Sequence, residues 1–149
     1  MMSGILCAIR GGPASQGPIE LGIQLAKQTG ERLHFLFVVN LDFLMMTETS
    51  RTQVLSEEMR GLGEFILLTA QAKADKSGVI AEGTVRQGDV MQEIVTLAKE
   101  LEVSHIILGR PRLEDQPNVF TPDRLRSFVE FLEEETGSKV VLAESGGEE

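Results

Sequence analysis

The residues best suited to chemistry stand in the stretch ILCAIRGGPASQG, residues 5–17. An apolar run ends at Arg10 and is followed by Gly11, Gly12, Pro13 and Ser15. This is the pattern of a strand turning into a helix, where backbone N–H groups and a helix N-terminus together attract phosphate. Tested against the Walker A spacing, Gly12 and Gly17 supply the two glycines, but Pro18 and Ile19 stand where lysine and serine or threonine belong. The phosphate-gripping lysine and the magnesium ligand are both missing, so that motif is excluded. A second arginine pair, Arg110 and Arg112, lies in GRPRLEDQPNVFT, residues 109–121. Guanidinium groups bind phosphate bidentately, so Arg10, Arg110 and Arg112 are candidate anion ligands. The competing reading pairs them on the surface with Glu114, Asp115 or Asp123, contacts typically worth 0–1 kcal/mol.

Other reactive groupings are scarce. His34 and His105 are the two histidines, and each opens an apolar run, so both are expected at strand starts. Ligands of open α/β sheets bind at the opposite, carboxyl ends of strands. Cys7 is the one cysteine; it sits inside an apolar run and reads as a small buried hydrophobe. It precludes an intramolecular disulfide, and no His/Cys/Asp group has metal-ligand spacing. The chain has no Gly-x-Ser-x-Gly elbow. It has no Trp or Tyr, which disfavours a base-stacking platform. Met45 and Met46 read as gap-fillers or partner-facing residues.

The elements that must position these residues alternate. Five apolar runs, 5–9, 33–39, 79–85, 105–108 and 140–143, suit strands buried on both faces. Four helical patterns separate them. The first starts near Ser15 and Pro18 and ends at Gly30. The second starts near Ser50, with Leu55, Met59, Leu62 and Ile66 as its stripe and Gly78 closing it; Gly61 and Gly63 each weaken it by about 1 kcal/mol. The third is capped by Asp89, with Gln92 at the box position and Ile94, Leu97, Ala98 and Leu101 on one face. The fourth opens at Thr121-Pro122-Asp123, buries Leu125, Phe128, Val129 and Leu132, and ends at Gly137. Its Glu133–Glu135 run is expected to be solvated. Strand–helix alternation predicts right-handed crossovers and a doubly wound parallel sheet. If the first and fourth strands are neighbours, the Arg10–Ser15 and Gly109–Thr121 loops meet at their carboxyl ends.

The chain has 149 residues, the size of one domain; we read 1–149 as a single unit with 145–149 a frayed tail. A formal net charge of -9 makes nucleic acid and anionic membrane poor partners. No stretch is apolar enough to span a bilayer, and the N-terminus lacks a signal-peptide pattern. A reduced, cytoplasmic setting is expected.

Two resemblances bear on function. Arg10-Gly11-Gly12-Pro13-Ala14-Ser15 resembles in part the loop of PP-loop ATP pyrophosphatases, but lacks that loop's leading serine and its aspartate. A resemblance to the universal stress proteins runs from Ile5 to about Ala143. It is carried by the first run with its small-residue turn and Ser15, by LHFLFVV, and most of all by VRQGDVMQEIVTLAKELEVSHIILGRPR. It implies a five-stranded sheet of order 3-2-1-4-5, like that of adenine nucleotide alpha hydrolases. It also implies a homodimer through the last strand (Val140, Val141, Leu142) and, in some members, bound ATP or AMP. Nucleotide-binding members carry an aspartate where this chain has Arg10, and Gly-x-x-Gly, nine residues, then Gly-Ser/Thr after the fourth strand. Here Gly109 survives, Arg112 replaces the second glycine, and Pro122-Asp123 replaces Gly-Ser. A side chain at Arg112 blocks close approach of phosphate to backbone, Pro122 offers no N–H, and Asp123 places an anion at the helix N-terminus. The expectation is a non-catalytic, homodimeric stress-response protein without a bound cofactor, acting through an unidentified protein partner. The alternative is a sensor of AMP, ATP or a similar phosphorylated ligand on Arg10, Gly11, Gly12, Val39, Leu108, Gly109, Arg110, Arg112 and Asp123.

Overall fold

The computed structural model describes residues 3–10, 16–39, 49–109 and 122–143, with side chains from residue 54 onward in the second helix and from 125 onward in the fourth. The elements run β1 Ile5–Ala8, α1 Gln16–Thr29, β2 Leu33–Val39, α2 Thr49–Lys76, β3 Ala81–Gln87, α3 Val90–Leu101, β4 His105–Gly109, α4 Pro122–Thr136 and β5 Lys139–Ala143. All pairings are parallel, in the order β3-β2-β1-β4-β5. The predicted doubly wound sheet is therefore present.

Strand alternation divides the core in two. Ile5, Cys7 and Ile9 with Leu33, Phe35, Phe37 and Val39 face α1 and α2. Leu6, Leu36, Ile106 and Leu108 face α3 and α4 through Ile94, Leu97, Ala98 and Leu132. Gly22 lets α1 lie close to the sheet: a Cβ there would come within 3.2 Å of Leu33 Cδ1.

The helix ends follow local rules. Gly30, Gly78 and Gly137 take positive φ after α1, α2 and α4, as a left-handed terminus requires. Asp89 Oδ2 accepts from the Gln92 N–H at 3.0 Å, capping α3. α3 closes instead on a non-glycine, Glu102, in the left-handed conformation (φ 53°), with its N–H bonded back to Ala98 and Lys99.

Several expectations are corrected. β3 begins at Ala81, not Val79: the Val79 N–H is bonded to Ala74 O at the end of α2, and Ile80 is exposed. The stripe of α2 that meets the sheet runs through Met59, Gly63, Ile66, Leu67, Ala70 and Ala74, whereas Leu62 points to solvent. Gly63 is not a mere weakness: a Cβ there would overlap the Phe37 ring, so the glycine is what lets α2 approach β2. The glutamate run of α4 is not wholly solvated either. Glu133 Oε2 accepts from the Val140 N–H at 3.0 Å and Glu135 pairs with Lys99 at 3.7 Å.

Candidate functional site

The carboxyl ends of β2, β1 and β4 lie side by side because their registers are nearly level: Ala8 pairs with Leu36, and Cys7 with Ile107. Arg10, exposed, follows β1 at this edge, and Gly109 ends β4. The Ile9 N–H donates to Leu36 O at 2.9 Å, fixing the path of β1 just before Arg10. Val39 and Leu108 end at the same edge but on opposite faces of the sheet, each packed within its own core layer. They flank the carboxyl edge without presenting one shared apolar surface. Pro122 and Asp123 form the first turn of α4. Gly11, Gly12, Arg110 and Arg112 lie outside the described residues.

Gly88 and Asp89, which the sequence reading did not place at the site, border it. The Gly88 N–H donates to Val39 O at 2.9 Å, tying the start of α3 to the end of β2. Its φ of 150° is one that residues with a side chain rarely adopt, and a Cβ there would also displace Glu93 Oε2, 2.8 Å away. Nearby, the Ser56 hydroxyl donates to Gln87 Oε1 at 2.7 Å, joining α2 to the end of β3. The readable signal is Gly-Asp just after the third run and its Arg86-Gln87 end, a strand end followed by a helix cap.

The opposite, amino end of the sheet carries both histidines with a set of polar partners. The Ser104 hydroxyl lies 2.7 Å from Glu31 Oε1, 3.0 Å from Gly4 O and 2.8 Å from His105 Nδ1. His34 Nε2 sits 2.6 Å from Thr84 Oγ1, and His34 Nδ1 3.6 Å from Glu82. Burial holds the His34 pKa below its usual value and Arg86 adds to the effect, while Glu82 opposes both. A groove of about 650 Å³ opens here, with Lys27, Glu31, Arg32, His34, Ile80 and Glu82 on its walls. Both histidines thus stand at strand starts, away from Arg10 and Gly109. Cys7 is fully buried, its Sγ 3.3 Å from Pro18 O, and burial pushes its thiol pKa far up, so it holds its proton. Among the described residues no group of three His, Cys, Asp or Glu is placed to hold a metal ion.

The strand order defines a doubly wound α/β fold, a class in which ligands bind where the winding reverses, here at the ends of β1 and β4. The universal stress protein family profile matches residues 1–120, and the chain belongs to that family. No curated protein matches it. Similar solved structures include a universal stress family protein from Burkholderia pseudomallei, with 23% identity, 94% of each chain covered and a TM-score of 0.71. Another is a universal stress protein in complex with cAMP, with 14% identity, 97% of this chain and 98% of that one covered and a TM-score of 0.65. A third, from Archaeoglobus fulgidus, is in complex with dAMP, with 15% identity, 96% and 98% covered and a TM-score of 0.58. Among the described residues no helix is long and apolar enough to cross a membrane.

Proposed function

We propose that the protein is a non-catalytic stress-response protein that acts through protein contacts as a homodimer, without hydrolysing ATP. The observation that supports this reading is where the reactive side chains lie. Both histidines are at the amino edge of the sheet and the one cysteine is buried and protonated, so neither an imidazole base nor a thiolate nucleophile stands at the described carboxyl edge. The dimer would form along β5, an edge strand of apolar sequence. Because the Lys139 N–H donates inward to Ser104 O, the backbone groups of Val140 and Leu142 face the open edge. Glu133 occupies the Val140 N–H, leaving Leu142 as the outward donor of the pair.

Light scattering on the purified protein should give at least twice the chain mass, and Leu142→Lys should halve it. Glu133→Ala, which releases the Val140 N–H, should tighten the pair. A wild-type monomer at micromolar concentration refutes this interface, and phosphate release from ATP refutes the non-catalytic reading.

A second reading, a nucleotide sensor, is favoured by the family relatives in complex with cAMP and dAMP. Phosphates would rest on Arg10, Arg110 and Arg112 beside Gly11, Gly12 and Gly109, with Asp123 opposing them at the α4 N-terminus. Calorimetry with ATP, ADP and AMP separates the two readings: binding lost in Arg10→Ala or Arg112→Ala supports the sensor, and no heat with any of the three dismisses it.

A further inference from the structure

The 28 residues of α2 make a helix about 42 Å long, while the seven-residue strands beneath it span about 23 Å. Its inner stripe is accounted for by the sheet. Its outer face is apolar too: Val54, Leu62, Phe65 and Leu68 are 56%, 52%, 67% and 65% exposed. Exposed positions 54, 58, 61, 65, 68 and 72 follow the alternating four-and-three spacing of a coiled-coil seam, with Glu58 its single charged member. Gly61 belongs to this seam, and a Cβ there would meet nothing within 4 Å. Unlike Gly63, it serves no contact within the chain, although a mid-helix glycine costs about 1 kcal/mol.

We infer that this face is a second self-association surface, on which α2 packs antiparallel against α2 of another copy about a two-fold axis between Ile66 and Leu67. In this register Gly61 stands level with Ala72 of the second copy and Phe65 with its Leu68, so small residues flank a central pair of large ones. Charge selects the direction. Among the residues whose side chains are described, the N-terminal half of the outer surface carries Glu57, Glu58 and Glu64 against Arg60; the C-terminal half carries Lys73 and Lys76 against Asp75. A parallel pair sets three carboxylates on their own copies. The antiparallel pair relieves part of that repulsion by setting Glu58 beside Lys76 of the second copy on one flank of the seam, while Glu57 comes beside its Asp75 on the other; Lys73 is already engaged by Glu20 at 3.3 Å. At roughly 150 Å² or more for a full large side chain, the four exposed ones offer roughly 350 Å² per copy. With their flanks the pair approaches the roughly 1,000 Å² of a specific interface. This surface is independent of the β5 edge, and both together would give an assembly larger than a dimer.

Light scattering and a cross-linking pair test it. Phe65→Glu should halve the mass of the assembly with an unchanged circular dichroism spectrum, because the side chain is exposed in the single chain. Gly61→Cys with Ala72→Cys in one chain should oxidise to a covalent dimer, whereas Gly61→Cys alone should not; buried Cys7 does not compete. Phe65→Glu leaving the mass unchanged while Leu142→Lys halves it overturns this inference and leaves the β5 reading standing. Efficient cross-linking by Gly61→Cys alone overturns the antiparallel register. A cross-link within one chain between residues 43 and 65 overturns it by showing that the segment before α2 covers the face.

Discussion

α2 and α3 lie on opposite faces of the sheet and use apolar residues differently. α3 places Ile94, Val95, Leu97 and Ala98 on the core and is fixed at its N-terminus by Asp89. Arg86 on β3 binds it further, through Glu93 at 3.6 Å and Glu100 at 2.9 Å. Burial within one chain accounts for the central apolar residues of that helix, and the two exposed ones, Val90 and Leu101, stand at its ends at 41% and 38%. α2 carries two apolar stripes on opposite sides, and burial accounts for the inner one alone. A helix that spends large apolar side chains on solvent is either unstable by design or has a second surface to meet. Its length beyond the sheet and its seam spacing favour the second.

The largest effect that would break this contrast comes from matched truncations. Leu67→Ala, at 4% exposure, should cost about 2–5 kcal/mol, as should Ile94→Ala on α3. Phe65→Gln, in urea unfolding at concentrations too low for association, should stay within about 0.5 kcal/mol of wild type. If Phe65→Gln were as costly as Leu67→Ala, the outer stripe would be core. Next in size is the glycine pair. Gly63→Ala should destabilise by about 1–3 kcal/mol because the Phe37 ring must shift. Gly61→Ala should stabilise the isolated chain by up to about 1 kcal/mol. Equal signs for the two would erase the distinction between the faces. Asp89→Ala removes the α3 cap and should cost about 1 kcal/mol by the same measurement, with Asp89→Asn recovering most of it.

The smallest effect is a pH dependence at the β2–β3 edge. Because the folded state lowers the His34 pKa, the unfolded chain binds the extra proton first as pH falls below about 6.5. Stability contributed by neutral His34 is therefore present above that pH and is lost as pH falls towards the lowered folded value. His34→Gln should flatten the stability profile below about pH 6.5. An unchanged slope would assign the dependence to other groups.

Local signals made much of the architecture legible. Leu33–Val39 is a strand over the residues its apolar run predicts, and Asp89, Gly30, Gly78 and Gly137 mark helix ends where their chemistry requires. The candidate site was legible only as an edge. Arg10, Val39, Leu108 and Gly109 fall at the carboxyl ends of three adjacent strands, while Gly11, Gly12, Arg110 and Arg112 stand outside the described residues. That Val39 and Leu108 face opposite layers could not be read until the strands were paired, since alternation fixes a relative face and pairing an absolute one.

The sequence by itself determined the order of strands and helices, their caps and the position of the ionisable residues along each strand, because periodicity and capping act within a few residues. Tertiary structure alone decided that Gly63 is required and Gly61 is not, that Glu133 caps the amide of Val140, and that Leu62 faces water. Each of these depends on which element arrives from far along the chain, and contact between distant segments leaves no mark on the local pattern of either.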